Sequence, residues 1–570
     1  MEHIATVNKF LLVARFLLVL LPQNGYIHPD EFFQSPEVTA SDIFGTSVSR
    51  TWEWNAKSPT RTIIFPYLSS GIPFMVAKLC NSFLGIDVTT TTLLILPRIF
   101  MAAGTYFIDK AIQFLAGKVY KVGPGGKDCQ EGVETALFLF RSSAVTLVFL
   151  TRTFSNVCET VILSLFLWKA VSQISKKNFN DGLGSTTILL TLMVTFGFFI
   201  RPTLIFFVAF GSIAYVFICY RNGKIISQAL LAGVTLFIAS LSIICLDSMY
   251  FSQGEKFKFS ITPLNMIKYN LDEANLQMHG EHPRYLHFLV NLPLLFGPLV
   301  LMFSFASYML FRKPRNSPAG SDMPINKGAA SLLVASAWSA VLSLSYFKHQ
   351  EPRFIIPIIT PVCLISPWFL ARYPGAWRRF LHFWCIFNAA LVAWFGFVHQ
   401  GGIVPCLSHL REESRMDLKT EGIKCVKYDV IFWYTYMAPK HLINVGTNRS
   451  LADIAVHNLG GKTEKDVKSL IKELSDQSKN YHLKKCKNLI YLAVPATIDI
   501  SGLKTLDPHL KQKFFPHISV EASPWDYALH QINNVIASMM NDFGSGLQDG
   551  KKFAIEMKSL MSLDLYTMTI

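Results

Sequence analysis

Residues 25–37 read Gly-Tyr-Ile-His-Pro-Asp-Glu-Phe-Phe-Gln-Ser-Pro-Glu, so His28, Asp30, Glu31 and Gln34 are interleaved with two phenylalanines and followed by Glu37. A carboxylate half-buried by aromatic neighbours has its pKa raised and suits general-base work. Trp52-Glu53-Trp54 repeats the theme, an acid between aromatic rings, a pairing that fits a sugar with its apolar faces and hydroxyl rim. The plainer readings are solvated surface acids and an interfacial tryptophan belt. A second set is cationic: Thr151-Arg152-Thr153-Phe154-Ser155-Asn156, Arg201-Pro202, and Lys348-His349-Gln350-Glu351-Pro352-Arg353-Phe354. Each Arg could simply pair with a loop acid. Taken together, a base on one loop and clustered cations on others are what transfer from a phosphate-linked donor requires: one accepts the acceptor's proton, the others stabilise the departing phosphate.

The elements that must hold these residues are membrane spans. Of 570 residues, 51% are hydrophobic, 46 are Phe and only 16% are charged, with mean hydropathy +0.34. Soluble domains average about 25% charged residues. Composition therefore excludes disorder, a small disulfide scaffold and an ordinary soluble enzyme. The surplus of Lys and Arg over Asp and Glu, 53 − 38 = +15, points either to a polyanionic partner or to topology. Eleven apolar runs lie at 10–22, 91–116, 134–151, 156–174, 185–200, 202–220, 225–247, 285–311, 329–347, 354–371 and 380–399, near the length a span needs. A signal peptide is the alternative for the first run, which contains Arg15 and ends in Leu-Leu-Pro-Gln-Asn-Gly, without a small-x-small cleavage site.

Residues 63–86 are largely apolar yet interrupted by Pro66, Gly71, Pro73 and Lys78. If they are not a span, the loops carrying Lys118, Lys121 and Lys127, then Lys176 and Lys177, Arg221 and Lys224, Arg312 to Lys327, and Arg372, Arg378 and Arg379 all fall on the N-terminal side. The positive-inside rule makes that side cytoplasmic. Residues 63–86 then lie on the membrane, and residues 23–90 form a first lumenal loop. The Thr151–Ser155, Arg201-Pro202 and 348–353 turns and everything after 400 share that side. The +15 is thus a record of topology, and no nucleic-acid partner is expected. The sequon Asn448-Arg449-Ser450 agrees, being useful only in the lumen.

The expected organisation is a membrane domain over 1–400 and a lumenal α/β-type domain over 401–570, with a buried strand at Asn488 to Ala496 preceded by an amphipathic helix. Cys406, Cys425 and Cys486 lie where oxidation is permitted, and one disulfide among them is expected with its pairing open. No Cys/His spacing suits zinc, and two carboxylates without further clustered acids do not predict a metal.

On His28-Pro29-Asp30-Glu31 with Gln34 and Glu37, Thr51-Trp52-Glu53-Trp54, Arg61 with Pro66, and His349 to Phe354, the chain resembles the multi-span lumenal mannosyltransferases of glycosyltransferase family 22. The family usually has Lys where Gln350 stands, with Lys348 adjacent. The resemblance implies a GT-C fold, about 11 transmembrane helices with lumenal juxtamembrane helices, no cofactor, and dolichyl-phosphate mannose as donor. Within the family, residues 25–37 and 151–156 look most like the branch that adds the fourth mannose to the glycosylphosphatidylinositol (GPI) precursor. That implies an α1,2 link to the third mannose, made in the endoplasmic reticulum membrane by inversion, with a cytoplasmic N-terminus. Asp30 is then the expected base and Glu31 its rival. Arg353 and His349, followed by Arg201, Arg152 and Lys348, would meet the donor phosphate. His28, Gln34, Glu37, Trp52, Glu53 and Trp54 would contact substrate. The alternatives are a sibling that adds the third GPI mannose or an N-glycan mannose, and a polytopic transporter. Transporters usually carry ionisable groups near the midplane and show internal repeats.

Overall fold

The computed structural model describes residues 2–120, 127–252, 257–272, 274–275, 280–312, 324–444, 451–479, 486–521 and 555–568. Lys121, Lys313, Arg315 and Asn448 lie outside the described residues. The chain divides into two compact units. One comprises Met1–Val19, Arg50–Ser69 and Arg98–Ala390; the other comprises Leu20–Ser49, Ser70–Pro97 and Leu391–Ile570.

Among the described residues, nine helices are long and apolar enough to cross a membrane, or eleven if two bent pairs each count as one span. In the first, His3–Leu20, Arg15 is fully buried and donates to Asp109 Oδ2 at 2.8 Å and to Thr105 Oγ1 at 2.7 Å. Arg141 bonds the other oxygen of Asp109 at 2.6 Å, so one carboxylate ties three spans. A charge within the apolar layer is tolerated when paired in this way.

Two runs that read as continuous spans are broken. Cys129–Ser142 and Ala144–Thr151 meet at 56°, where Ser143 is extended and its Oγ caps the next helix through Val145 N–H. Asn388 Oδ1 accepts the freed Ala144 N–H at 2.7 Å. His287–Phe296 and Leu299–Phe311 meet at 115°, where Gly297 has φ +50 and Pro298 follows. Proline cannot continue the preceding helix, and a Cβ at Gly297 would stand 2.7 Å from the Phe387 ring. Periodicity does not register such single-residue breaks.

Residues 63–86 form short helix Ile64–Pro66, a π turn Tyr67–Gly71 and helix Ile72–Leu84, none of them among the candidate spans. On the last helix Ile72, Met75, Val76, Leu79 and Phe83 are exposed along one stripe, while Pro73, Phe74 and Ala77 are buried.

The second unit is built on a five-stranded mixed sheet of order β2-β1-β3-β5-β4, with β1 Cys425–Trp433, β2 Ala452–Gly460, β3 Cys486–Pro495, β4 Pro508–Phe514 and β5 Leu563–Met568. β1 pairs in parallel with β2 and β3; β5 runs antiparallel to β3 and β4. Alternate residues face opposite sides. Tyr428, Val430 and Phe432 share a core with Ile403, Leu407 and Leu410 of helix Ile403–Leu418 and with Phe32 and Phe33. Ile431, Leu492 and Val494 pack on Val467, Ile471 and Leu474 of the amphipathic helix Glu464–Lys479. Cys425 and Cys486 are register partners and form the disulfide, leaving Cys406 as a buried free thiol.

Candidate active site

In the sheet-bearing unit, the chain enters the motif through Gly25, whose added Cβ would lie 2.3 Å from Phe395 O, so only glycine fits. Tyr26 N–H donates to His399 O at 2.8 Å, and its hydroxyl donates to Met437 O at 3.0 Å. Burial, then the nearby Glu31 and Glu37 charges, push the Tyr26 hydroxyl well above its ordinary pKa. Pro29 opens a single helical turn, Asp30–Phe33, which drives Phe32 and Phe33 inward. Asp30 faces outward, its side chain 21% exposed, beside His28 at 3.3 Å and accepting from Gln34 Nε2. Glu31 is 1% exposed. Glu37 is fully buried: it accepts from His441 N–H and Ser49 N–H, each at 2.9 Å, and lies 3.0 Å from His441 Nδ1. His28 and Asp30 therefore form the accessible pair, with buried Gln34 bonded to Asp30, whereas Glu37 fastens the loop.

In the membrane unit, the cations cluster with acids. Ser155 and Glu159 stand four residues apart on one face of helix Ser155–Ile174. Both meet Arg201, through Nη1 to Ser155 Oγ at 3.0 Å and Nε to Glu159 Oε2 at 3.2 Å. Thr203 Oγ1 donates to Glu159 Oε1 at 2.7 Å. The Phe354 ring lies under two guanidiniums, Arg201 at 5.2 Å and Arg353 at 5.6 Å, in cation–π geometry. Glu351 accepts from Arg353 Nε and lies 2.8 Å from His349 Nε2. Burial lowers the pKa of His349, but the Glu351 hydrogen bond and charge outweigh it and the net shift is upward. Arg61 forks onto Glu53 at 2.8 and 2.9 Å. Arg201 is pushed down to about 10, first by burial and, against Glu159, by the like charges of Arg61 and Arg353. Three guanidiniums thus share one field with three carboxylates.

Lys348 makes a half-exposed surface pair with Glu281. Gln350 is buried; its amide donates to the Ser345, Phe347 and Arg284 carbonyls and accepts from His287 N–H, a staple of its turn. Arg152 is fully buried at the turn before Phe154. Trp52 stacks on Tyr269 at 3.8 Å and stays 43% exposed, whereas Trp54 is core beside Phe251. Sequence reading assigned no role to Glu159, Glu351 or Asp247. Asp247 accepts from Thr62 Oγ1, Ile63 N–H and Thr262 Oγ1 and so holds the first loop. A lone acid at the end of an apolar run was the available signal for Asp247 and Glu159. Among the described residues no group of three His, Cys, Asp or Glu is placed to hold a metal ion.

Residues 6–442 match the Alg9-like mannosyltransferase family. The chain belongs to that family. As an Alg9-like mannosyltransferase it is a glycosyltransferase and a multi-pass membrane protein. It is 32% identical to the Homo sapiens protein named GPI alpha-1,2-mannosyltransferase 4, covering 90% of this chain and 88% of that one. It is 27% identical to the Drosophila melanogaster GPI mannosyltransferase 4, over 92% and 87%. Its fold, a GT-C fold, is shared with ArnT from Cupriavidus metallidurans, solved with undecaprenyl phosphate: TM-score 0.53 at 10% identity, covering 88% of this chain and 94% of that one.

Proposed function

We propose that this Alg9-like mannosyltransferase moves mannose from dolichyl-phosphate mannose to the third mannose of the GPI precursor, forming an α1,2 link with inversion. The carrying observation is similarity along about nine-tenths of the chain to the human protein whose name states that acceptor pathway and linkage. Asp30, the exposed carboxylate of its loop, takes the proton of the acceptor hydroxyl as that oxygen attacks the anomeric carbon. The anomeric carbon–oxygen bond breaks and its electron pair leaves with the phosphate. A phosphate needs no general acid, but it needs positive charge, which Arg353, Arg201 and His349 supply, with Arg61 adding a third guanidinium. Trp52 offers its exposed face to a sugar ring. The reaction faces the lumen of the endoplasmic reticulum; the Cys425–Cys486 disulfide supports an oxidising compartment for the sheet-bearing unit.

The test is complementation. In cells lacking the fourth-mannose enzyme, expression of this chain should restore GPI precursors bearing four mannoses, read by mass spectrometry. Continued accumulation of the three-mannose species, with rescue instead of a third-mannose or N-glycan defect, would assign the chain to a sibling acceptor.

A further inference from the structure

Outside the residues assigned to transfer, the sheet-bearing unit holds a polar cavity of ≈ 670 Å³ lined by Asp42, Lys78, Asn81, Ser82, Asp87 and Arg415, among others. It lies on helix Ile72–Leu84, the helix with the exposed apolar stripe. At 3.6 residues per turn, Ser82, Lys78 and Asn81 fall roughly 80°, 120° and 180° from the centre of that stripe, so the cavity lies on the helix's polar side. A helix in a membrane protein with Ile72, Met75, Val76, Leu79 and Phe83 exposed along one side lies in the interface with that side on the acyl chains, which turns its polar side, and the cavity, to the headgroup layer.

Lys78, which gives one hydrogen bond to Ile43 O at 2.6 Å, and Arg415, whose Nη1 also lies 3.7 Å from Glu412 Oε1, are the cations. Asp42 and Asp87 are its acids. Two helices also end at this cavity or beside it, Pro36–Phe44 at Gly45 with φ +67 and Ile72–Leu84 at Gly85 with φ +66. Their C-termini add partial negative charge and outward-facing carbonyls. Beneath, buried Arg411 holds Val88 O at 2.6 Å and so anchors one wall.

We propose that this cavity binds the headgroup of an amine-bearing zwitterionic phospholipid, with phosphate on Lys78 and Arg415 and ammonium on Asp42, Asp87 and the helix ends. An –NH₃⁺ group brings three donors for those acceptors, whereas a quaternary choline brings none. The site is independent of the transfer reaction.

The full chain, delipidated and reconstituted with equal phosphatidylethanolamine, phosphatidylcholine and phosphatidylglycerol, should retain phosphatidylethanolamine about tenfold over either rival in native mass spectrometry. Lys78→Gln with Arg415→Gln should return the bound lipid to the bulk ratio. Asp42→Asn with Asp87→Asn should erase the preference over phosphatidylcholine and admit phosphatidylglycerol. Lys78 and Asp87 are exposed and Asp42 and Arg415 half-buried, and none lies in the hydrophobic core, so the substitutions should leave thermal stability within about a degree or two of the unmodified chain. Absence of enrichment in the unmodified chain, unchanged ratios in both variants, or enrichment of phosphatidylglycerol in the unmodified chain would each overturn the proposal.

Discussion

Asp30 and Glu31 are adjacent in sequence and separated by exposure, 21% of the Asp30 side chain against 1% of Glu31. A base must reach the proton it removes, which favours Asp30. Asp30→Asn should lower turnover in a membrane assay by about 10²–10⁴-fold, while Glu31→Gln should retain most activity and act through stability. The opposite pattern would exchange their roles. Glu159 offers a second test at this scale. It is the direct carboxylate partner of buried Arg201, and removing one member of a buried pair costs about 3–5 kcal/mol. Glu159→Ala should therefore reduce thermal stability in detergent clearly more than Glu159→Gln, which keeps an oxygen for Thr203 to donate to. Equal stability of the two would show that the acceptor oxygen kept by Gln adds nothing for Thr203 and Arg201 once the charge is gone.

At the scale of elements, the sheet depends on a crosslink and on a buried imidazole. Cys425 and Cys486 close a loop over a separation of 61 residues, for which loop entropy gives about 4 kcal/mol. Replacing both by Ser should make the sheet-bearing unit sensitive to limited proteolysis at urea concentrations that the disulfide form resists. His517 is 1% exposed, accepts from Gly402 N–H at 3.1 Å, and is pushed down to about 3 by burial, with His399 adding to the effect. Below its unfolded value near 6.5, the unfolded chain takes up a proton that the folded chain refuses. Stability is therefore full above pH ~6.5 and falls by about 1.4 kcal/mol per unit as pH drops toward 3. Hydrogen exchange of residues 400–403 should accelerate over that window, and His517→Gln should flatten the dependence.

For the whole molecule the open quantity is orientation. The proposed topology places Asn448 in the lumen, so the expressed chain should carry an endoglycosidase-sensitive glycan that Asn448→Gln removes. Glycosylation of an engineered sequon in the 312–328 loop instead would invert the assignment. Much of the architecture was legible in sequence: eleven apolar runs, the exclusion of 63–86 from the spans, and a strand preceded by an amphipathic helix all depend on local composition and period, which one strand of chain carries by itself. The cationic turns stood out too, because the expected topology puts their Lys and Arg on the side where the charge rule does not expect them, and that rule needs no coordinates. Tertiary structure alone decided which groups work in company. Composition cannot show that Glu159, Arg201 and Thr203 share one contact, that Glu37 is spent on His441 and Ser49, or that Cys486 rather than Cys406 meets Cys425. The physical reason is range: hydrophobicity and periodicity act between neighbours in the chain, whereas burial, ion pairing and disulfide register depend on residues brought together across tens to hundreds of positions.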